Sequence, residues 1–349
     1  MIFKRGIEDT MSNPGTPYRR RAIPGDPLGV IRVSPLEGAK LPVVVAPTMA
    51  GVDLISWAEG ARALIDTLLA QHKALLFRGF LGQSADRLDA FLAATSRGGP
   101  LEYIDRTTPR SRIGAGIYTS TVYPGRYAIE QHSEGTYWHR WPCKLYFACA
   151  VPATRGGETP LSDNAAVLRR LPAEIRDAFT RGNFMLKRTF NKGFGLTWQD
   201  AFQTEDVSAV EEYCASHDIE YEWRGDGVLQ TRQVRPAIRQ NPRTGEMVWF
   251  SHAAFYHASS YAREVALGLL EACGPDELPY DTCLGDGSPI PTPWIETIRA
   301  AVATETSRFP WQRDDILIVD NMAVAHGRAP YEGERLVLVA MTEPHDAAH

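Results

Sequence analysis

The chain has 349 residues, 44% of them hydrophobic and 23% charged, a balance ordinary for a water-soluble enzyme. Its formal net charge is −5, which argues against nucleic acid as a partner, because phosphate binding needs a basic face. No run approaches the ~18 apolar residues of a membrane span, and the N-terminal stretch lacks the apolar core of a secretory signal.

A cytoplasmic protein with a small-molecule substrate and no membrane partner is therefore expected. Its five cysteines, Cys143, Cys149, Cys214, Cys273 and Cys283, are odd in number and show no CxxC spacing. Reduced thiols follow.

Residues 1–40 are rich in Pro, Gly and Arg and lack periodicity. They read as an extended arm ahead of a single domain spanning 41–349. Apolar residues at helical spacing predict an amphipathic helix over 53–71. The run LLFRGF (75–80), closed by glycine, reads as a buried strand, and 83–95 as a second helix. Residues 115–151 alternate strand-like runs with turns, and Arg155–Thr159 is a turn before another strand.

The character changes at about 163–245, where LRRLPAEIRDAFTRG and SAVEEYCASHDIE read as helices. This stretch reads as a helical insertion between two halves of a β framework. Strand signals return at MVWFSHAAF (247–255), a Pro-punctuated helical segment covers 262–304, and DILIVDNMAVAH and RLVLVAMTE read as two final strands. Strands so far apart must pair non-locally. The expected class is mainly β with flanking helices (α+β), built as one barrel or sandwich.

His132 and Glu134 are separated by one residue. On a strand, positions i and i+2 share a face, so the spacing aims an imidazole and a carboxylate at one point. His326 follows a Val/Ile-rich run. Two imidazoles and a carboxylate are the ligand set of a non-heme Fe(II) oxygenase, which keeps positions open for a 2-oxo acid and oxygen. His139 is a rival third ligand, and with His132 and Glu134 it would suit a zinc hydrolase. The HExxH of zinc proteases does not occur.

Arg335, nine positions after His326, would be costly beside such a pocket unless paired, and a five-carbon dicarboxylate supplies a planar partner. Otherwise it is a surface residue at a strand start. Residues adjacent to the three ligands offer a substrate wall: Arg110, Ser120, Thr121, Tyr137, Trp138, Trp249, Phe250 and His252. Arg110 suits a substrate carboxylate or a solvated loop. Trp249 and Phe250 suit an apolar wall or plain core. Arg328 is expected to orient the metal-site strand through a salt bridge to Asp320 or another acid.

Six signatures in order carry a resemblance: LLFRGF (75–80), YTSTVYP (118–124), IEQHSEGTY (129–137), WPCKLYFACAVPATRGGETPLSD (141–163), VWFSHAAFYH (248–257) and DNMAVAHGRAPYEGERLVLVAM (320–341). With them the chain resembles the taurine dioxygenase superfamily of Fe(II)/2-oxoglutarate-dependent oxygenases, and more narrowly its clavaminate synthase-like branch, which uses HxE.

The resemblance implies a double-stranded β-helix, a distorted jelly roll. It implies His132, Glu134 and His326 as metal ligands, with Arg335 and Thr159 on the distal carboxylate of 2-oxoglutarate. Fe(II), 2-oxoglutarate and O2 are the implied cofactor and cosubstrates. Some relatives carry a second arginine where this chain has Val339, which counts against a sulfonate held there. The retained Glu134 disfavours halogenation.

The implied reaction is hydroxylation of an unactivated C–H in an amino acid or amino-acid-derived metabolite, free or tethered to a carrier protein, with release of succinate and CO2. Desaturation or ring closure is the alternative outcome, and a non-catalytic metal- or ligand-binding barrel the alternative class. Association into a homo-oligomer is also implied.

Overall fold

The computed structural model describes residues 27–101, 105, 112–114, 116–119, 123–190, 195–261 and 263–346. Arg110, Ser120 and Thr121, proposed for the substrate wall, lie outside the described residues.

The helix Leu54–His72 begins where the Asp53 side chain accepts the Ser56 N–H at 2.9 Å, and it ends at Lys73 in the left-handed region. Its buried stripe, Leu54, Trp57, Ala58, Ala61, Ile65 and Leu68, follows the helical spacing and faces the strand after it. That strand, Ala74–Phe77, is buried at every position. It pairs in parallel with Val43–Pro47 and antiparallel with Ile316–Asp320, which is why its sequence is a continuous apolar run.

These strands belong to an eight-stranded major sheet. Its order is Ile31–Pro35, Val43–Pro47, Ala74–Phe77, Ile316–Asp320, Arg140–Val151, Leu336–Asp346, Ile117–Thr119 and Arg112–Gly114. Strand alternation gives this sheet two faces. Leu75, Phe77, Tyr146, Ile316, Ile318 and Leu338 pack under the two N-terminal helices. Leu76, Phe147, Leu317, Val337, Val339 and Met341 point the other way, into the second core.

Facing that second core is a minor sheet of four strands, ordered Thr306–Ser307, Leu161–Asp163, Val324–Arg328 and Ile129–His132. Among the described residues no helix is long and apolar enough to cross a membrane, and Cys143, Cys149, Cys214 and Cys283 are free thiols.

Three expectations change. Ile31–Pro35 pairs with Val43–Pro47, so the sheet begins inside the 1–40 segment read as an arm. The run DILIVDNMAVAH is two strands in two sheets, broken at Asn321–Ala323. The insertion is not purely helical. Phe184–Phe190, Glu220–Arg224 and Val228–Arg235 form a further sheet with Tyr280–Leu284. The buried positions of that sheet include Thr189, Gln230, Thr231, Gln233 and Arg235, which hides the apolar alternation that would have marked strands.

Candidate metal centre

His326 lies mid-strand in Val324–Arg328, and its direct cross-strand partner is His132. The two rings sit 4.7 Å apart. One ligand atom each from His132, Glu134 and His326 lies within 4.8 Å of the others, and these residues are the metal-capable group found among the described residues. Glu134 and His326 are buried and His132 half-buried. His132 Nδ1 lies 2.8 Å from the Glu130 carbonyl. A carbonyl only accepts, so Nδ1 carries the proton and Nε2 presents its lone pair, the tautomer a metal ligand requires. The donor set fits a divalent iron.

Contrary to expectation, strand alternation does not bring His132 and Glu134 together, because the strand stops at His132 and Glu134 stands in the following turn. Asn321 supplies the missing constraint. Its Oδ1 accepts the Glu134 N–H at 2.7 Å, and its Nδ2 donates to the Glu134 and Pro142 carbonyls at 2.8 Å each. Asn164 Nδ2 similarly ties Ser133 Oγ to the Met322 carbonyl, each at 2.9 Å.

Asp320 shapes the turn between the two strands. Its Oδ1 accepts the Met322 and Ala323 N–H groups and Asn241 Nδ2. Burial pushes the Asp320 carboxyl up, against the pull of the Ala323 N–H and Arg243. Its ion-pair partner is Arg243, at 3.2 Å, and not Arg328 as expected. Gly327 allows the close strand approach, since a Cβ there would meet the Ile129 carbonyl oxygen at 2.5 Å.

Beside the two histidines opens a pocket lined by Phe147, Thr159, Arg328, Arg335, Val337 and Val339, among others. Arg335 Nε donates to the Gly157 carbonyl at 2.8 Å. Gly157 has φ +75°, and a Cβ there would stand 3.0 Å from Arg335 Cδ, so the GGET turn needs glycine to seat this arginine. Burial, then the neighbouring Arg328, pulls Arg335 down to about 10. Thr159 is 2% exposed and accepts the Trp311 indole N–H at 3.1 Å. That bond leaves the hydroxyl proton for an acceptor in the pocket. Phe147 packs against His326 at 5.0 Å.

The other flank is aromatic. Phe255 lies 4.6 Å and His252 5.7 Å from the His132 ring. His252 is stacked on Tyr256 at 4.8 Å and hydrogen-bonds Thr136 through Nδ1. Burial, then His132, holds its imidazole well below the ordinary range. Tyr137 packs edge-on against His252, and both Tyr137 and Trp138 donate to the Asp105 carbonyl, at 3.2 and 3.3 Å. The Asp105 side chain pairs with buried Arg188.

Of the residues read as a substrate wall, Tyr137 and His252 are thus brought near the ligands, with Trp138 behind them. Trp249 packs on Phe179 at 5.0 Å, and Phe250 is fully buried against Trp141 at 5.6 Å. Both take the core alternative. His139, the rival ligand, points away and bonds Asp218 at 3.0 Å. Phe255, Trp311 and Asn321 were missed as site residues. Asn321 alone carried a local hint, next to the aspartate that ends a core strand.

The family model for taurine catabolism dioxygenases, the TauD, TfdA family, matches residues 33–342. The chain is 40% identical over 283 residues to the dapdiamide synthesis protein DdaC of Enterobacter agglomerans, covering 80% of this chain and 85% of that protein. It is 26% identical over 324 residues to a clavaminate synthase-like protein of Arabidopsis thaliana, covering 87% and 94%.

Among solved structures, PvcB of Pseudomonas aeruginosa superposes with a TM-score of 0.55 at 14% identity, covering 92% of both chains. A second structure of PvcB, described as an Fe, alpha-ketoglutarate dependent oxygenase from an isonitrile synthetic pathway, gives 0.51 at 16% identity, covering 92% and 93%. At that identity the likeness is one of fold.

Proposed function

The chain belongs to the taurine catabolism dioxygenase TauD, TfdA family, and from that premise we propose that it hydroxylates an unactivated C–H of an amino acid or amino-acid-derived metabolite, free or held on a carrier protein. It is an Fe(II)/2-oxoglutarate-dependent dioxygenase. In this reading His132, Glu134 and His326 hold the iron, and the two sheets around them form a double-stranded β-helix.

The observation that carries the reading is one pocket lined by two members of this ligand set, His132 and His326, together with Thr159 and Arg335. Support for the substrate class comes from the relative named for dapdiamide synthesis.

Ferrous iron, when bound, supplies the reductive activation of oxygen that couples loss of CO2 from 2-oxoglutarate to oxidation of the substrate. The side chains position the reactants. The planar Arg335 guanidinium suits the distal carboxylate as a two-point clamp, and the Thr159 hydroxyl adds a donor fixed by Trp311. Phe147 and Val337 keep the middle of the pocket apolar. Val339 puts no charge on the inner face of its strand, so nothing there favours a sulfonate. Phe255 and His252 offer an aromatic wall on the opposite flank.

The test is anaerobic. Fe(II) and 2-oxoglutarate added under nitrogen are expected to give the weak visible charge-transfer band of the chelate. Its absence at saturating reagents would overturn the reading. His326→Ala should abolish the band while His139→Ala leaves it intact, and the reverse pattern would make His139 the third ligand. A succinate-release screen over amino acids and their carrier-bound thioesters then tests the substrate class.

A further inference from the structure

We propose that Arg328 is a second cationic element of the 2-oxo acid pocket and selects a dicarboxylate cosubstrate by charge. The inference rests on the reading that this pocket takes 2-oxoglutarate.

Arg328 follows His326 by two residues on the same strand and lines the same pocket as Arg335. It is only 5% exposed. Its terminal nitrogens donate to the carbonyls of Tyr123, Pro124 and Tyr127 at 2.9, 3.0 and 3.0 Å. The rings of Tyr331 and Tyr123 flank it at 5.1 and 5.9 Å. The Tyr331 ring also lies 5.7 Å from the Arg335 guanidinium, so one tyrosine bridges both cations.

Three carbonyls satisfy donors, but they do not neutralise a charge. Among the described residues no carboxylate forms an ion pair with Arg328. A buried charge without an opposite charge is costly. Here that charge sits in one small pocket with a second guanidinium, Arg335. An anion entering the pocket supplies Arg328 with the opposite charge it lacks.

Arg335, with its clamp geometry, reads the shape of the far carboxylate. Arg328, whose terminal nitrogens are already committed to the 123–127 turn, reads its charge. A 2-oxo acid with an apolar far end would leave Arg328 uncompensated.

The experiment compares binding of 2-oxoglutarate with binding of 2-oxobutyrate, a monocarboxylate 2-oxo acid, by charge-transfer titration of the Fe(II)-loaded full chain under nitrogen. Arg328→Gln is expected to weaken 2-oxoglutarate by about tenfold, as loss of one desolvated charge should, and to leave 2-oxobutyrate unchanged. Arg328→Lys keeps the charge but loses most of the carbonyl bonds, and should retain the preference for the dicarboxylate.

If Arg328→Gln weakens both acids equally, Arg328 only anchors the turn and the inference fails. It also fails if Arg328→Gln changes neither acid, or if Arg328→Lys loses the preference. The last outcome stays decisive should the glutamine variant not fold. Arg335→Gln separates the two levels. If that change also leaves 2-oxoglutarate binding intact, the pocket reading itself is wrong. If Arg335→Gln weakens 2-oxoglutarate and Arg328→Gln does not, only the inference is.

Discussion

The flank holding Thr159, Arg328 and Arg335 and the flank holding His252, Phe255 and Tyr256 meet at the same histidines but are made of opposite materials. The first carries two cations and a pre-oriented hydroxyl, beside apolar side chains on the inner face of the major sheet. The second is a stack of neutral rings around His132, and the charges behind it, Arg188 and Asp105, are paired with each other.

On the proposed reading, the difference separates what the cosubstrate needs from what the substrate of this chain needs. A dicarboxylate cosubstrate calls for fixed positive charge in a fixed place. A wall of rings selects by shape and contact, and its residues can vary without disturbing the iron chemistry.

Asn321 holds the ligand turn at which the two flanks meet, so its loss is expected to be the largest effect. It bridges the Glu134 backbone to the Pro142 carbonyl through three buried hydrogen bonds. Asn321→Ala leaves one N–H and two carbonyls without these partners, at about 1–3 kcal/mol for each buried group left unsatisfied. A stability loss of about 3 kcal/mol in denaturant unfolding, with weakened iron binding, is expected. A loss below about 1 kcal/mol with unchanged iron affinity would mean that Glu134 is held by other contacts.

Phe255 tests the aromatic flank alone. Phe255→Ala removes the ring 4.6 Å from His132. With a substrate identified by succinate release, its KM should rise about tenfold, equivalent to about 1.4 kcal/mol, while 2-oxoglutarate affinity holds. A matched fall in both affinities would erase the division between the flanks.

The same division explains what could be read from the chain alone. On the proposed reading, His132, Glu134, His326 and Arg335 form a pattern because metal binding and carboxylate recognition suit few residue types. What constrains them in space was hidden. Glu134 is aimed by an asparagine 187 positions away, and Thr159 is oriented by a tryptophan 152 positions away. Pair contacts at such separations leave no local periodicity.

Trp249 and Phe250 misled because a large apolar side chain next to a motif looks the same whether it lines a pocket or fills a core. Only the packing on Phe179 and Trp141 separates these cases. The insertion sheet was missed for the reverse reason, since its buried positions carry Thr and Gln where an apolar alternation would have announced a strand.

The smallest expected effect probes the charged flank through a residue that does not carry its charge. Trp311 packs edge-on against Phe309 at 4.9 Å and donates its indole N–H to Thr159. Trp311→Phe keeps much of the packing and removes the donor. The Thr159 hydroxyl can then rotate, and its proton is no longer directed into the pocket.

One neutral hydrogen bond contributes about 1 kcal/mol, so 2-oxoglutarate affinity should fall about fivefold in the charge-transfer titration. The substrate KM should not move, because Trp311 does not touch the ring stack on the other flank. An unaltered 2-oxoglutarate affinity would show that Thr159 needs no orientation. A stability loss above about 2 kcal/mol would instead identify Trp311 as a core residue whose contact with Thr159 is incidental.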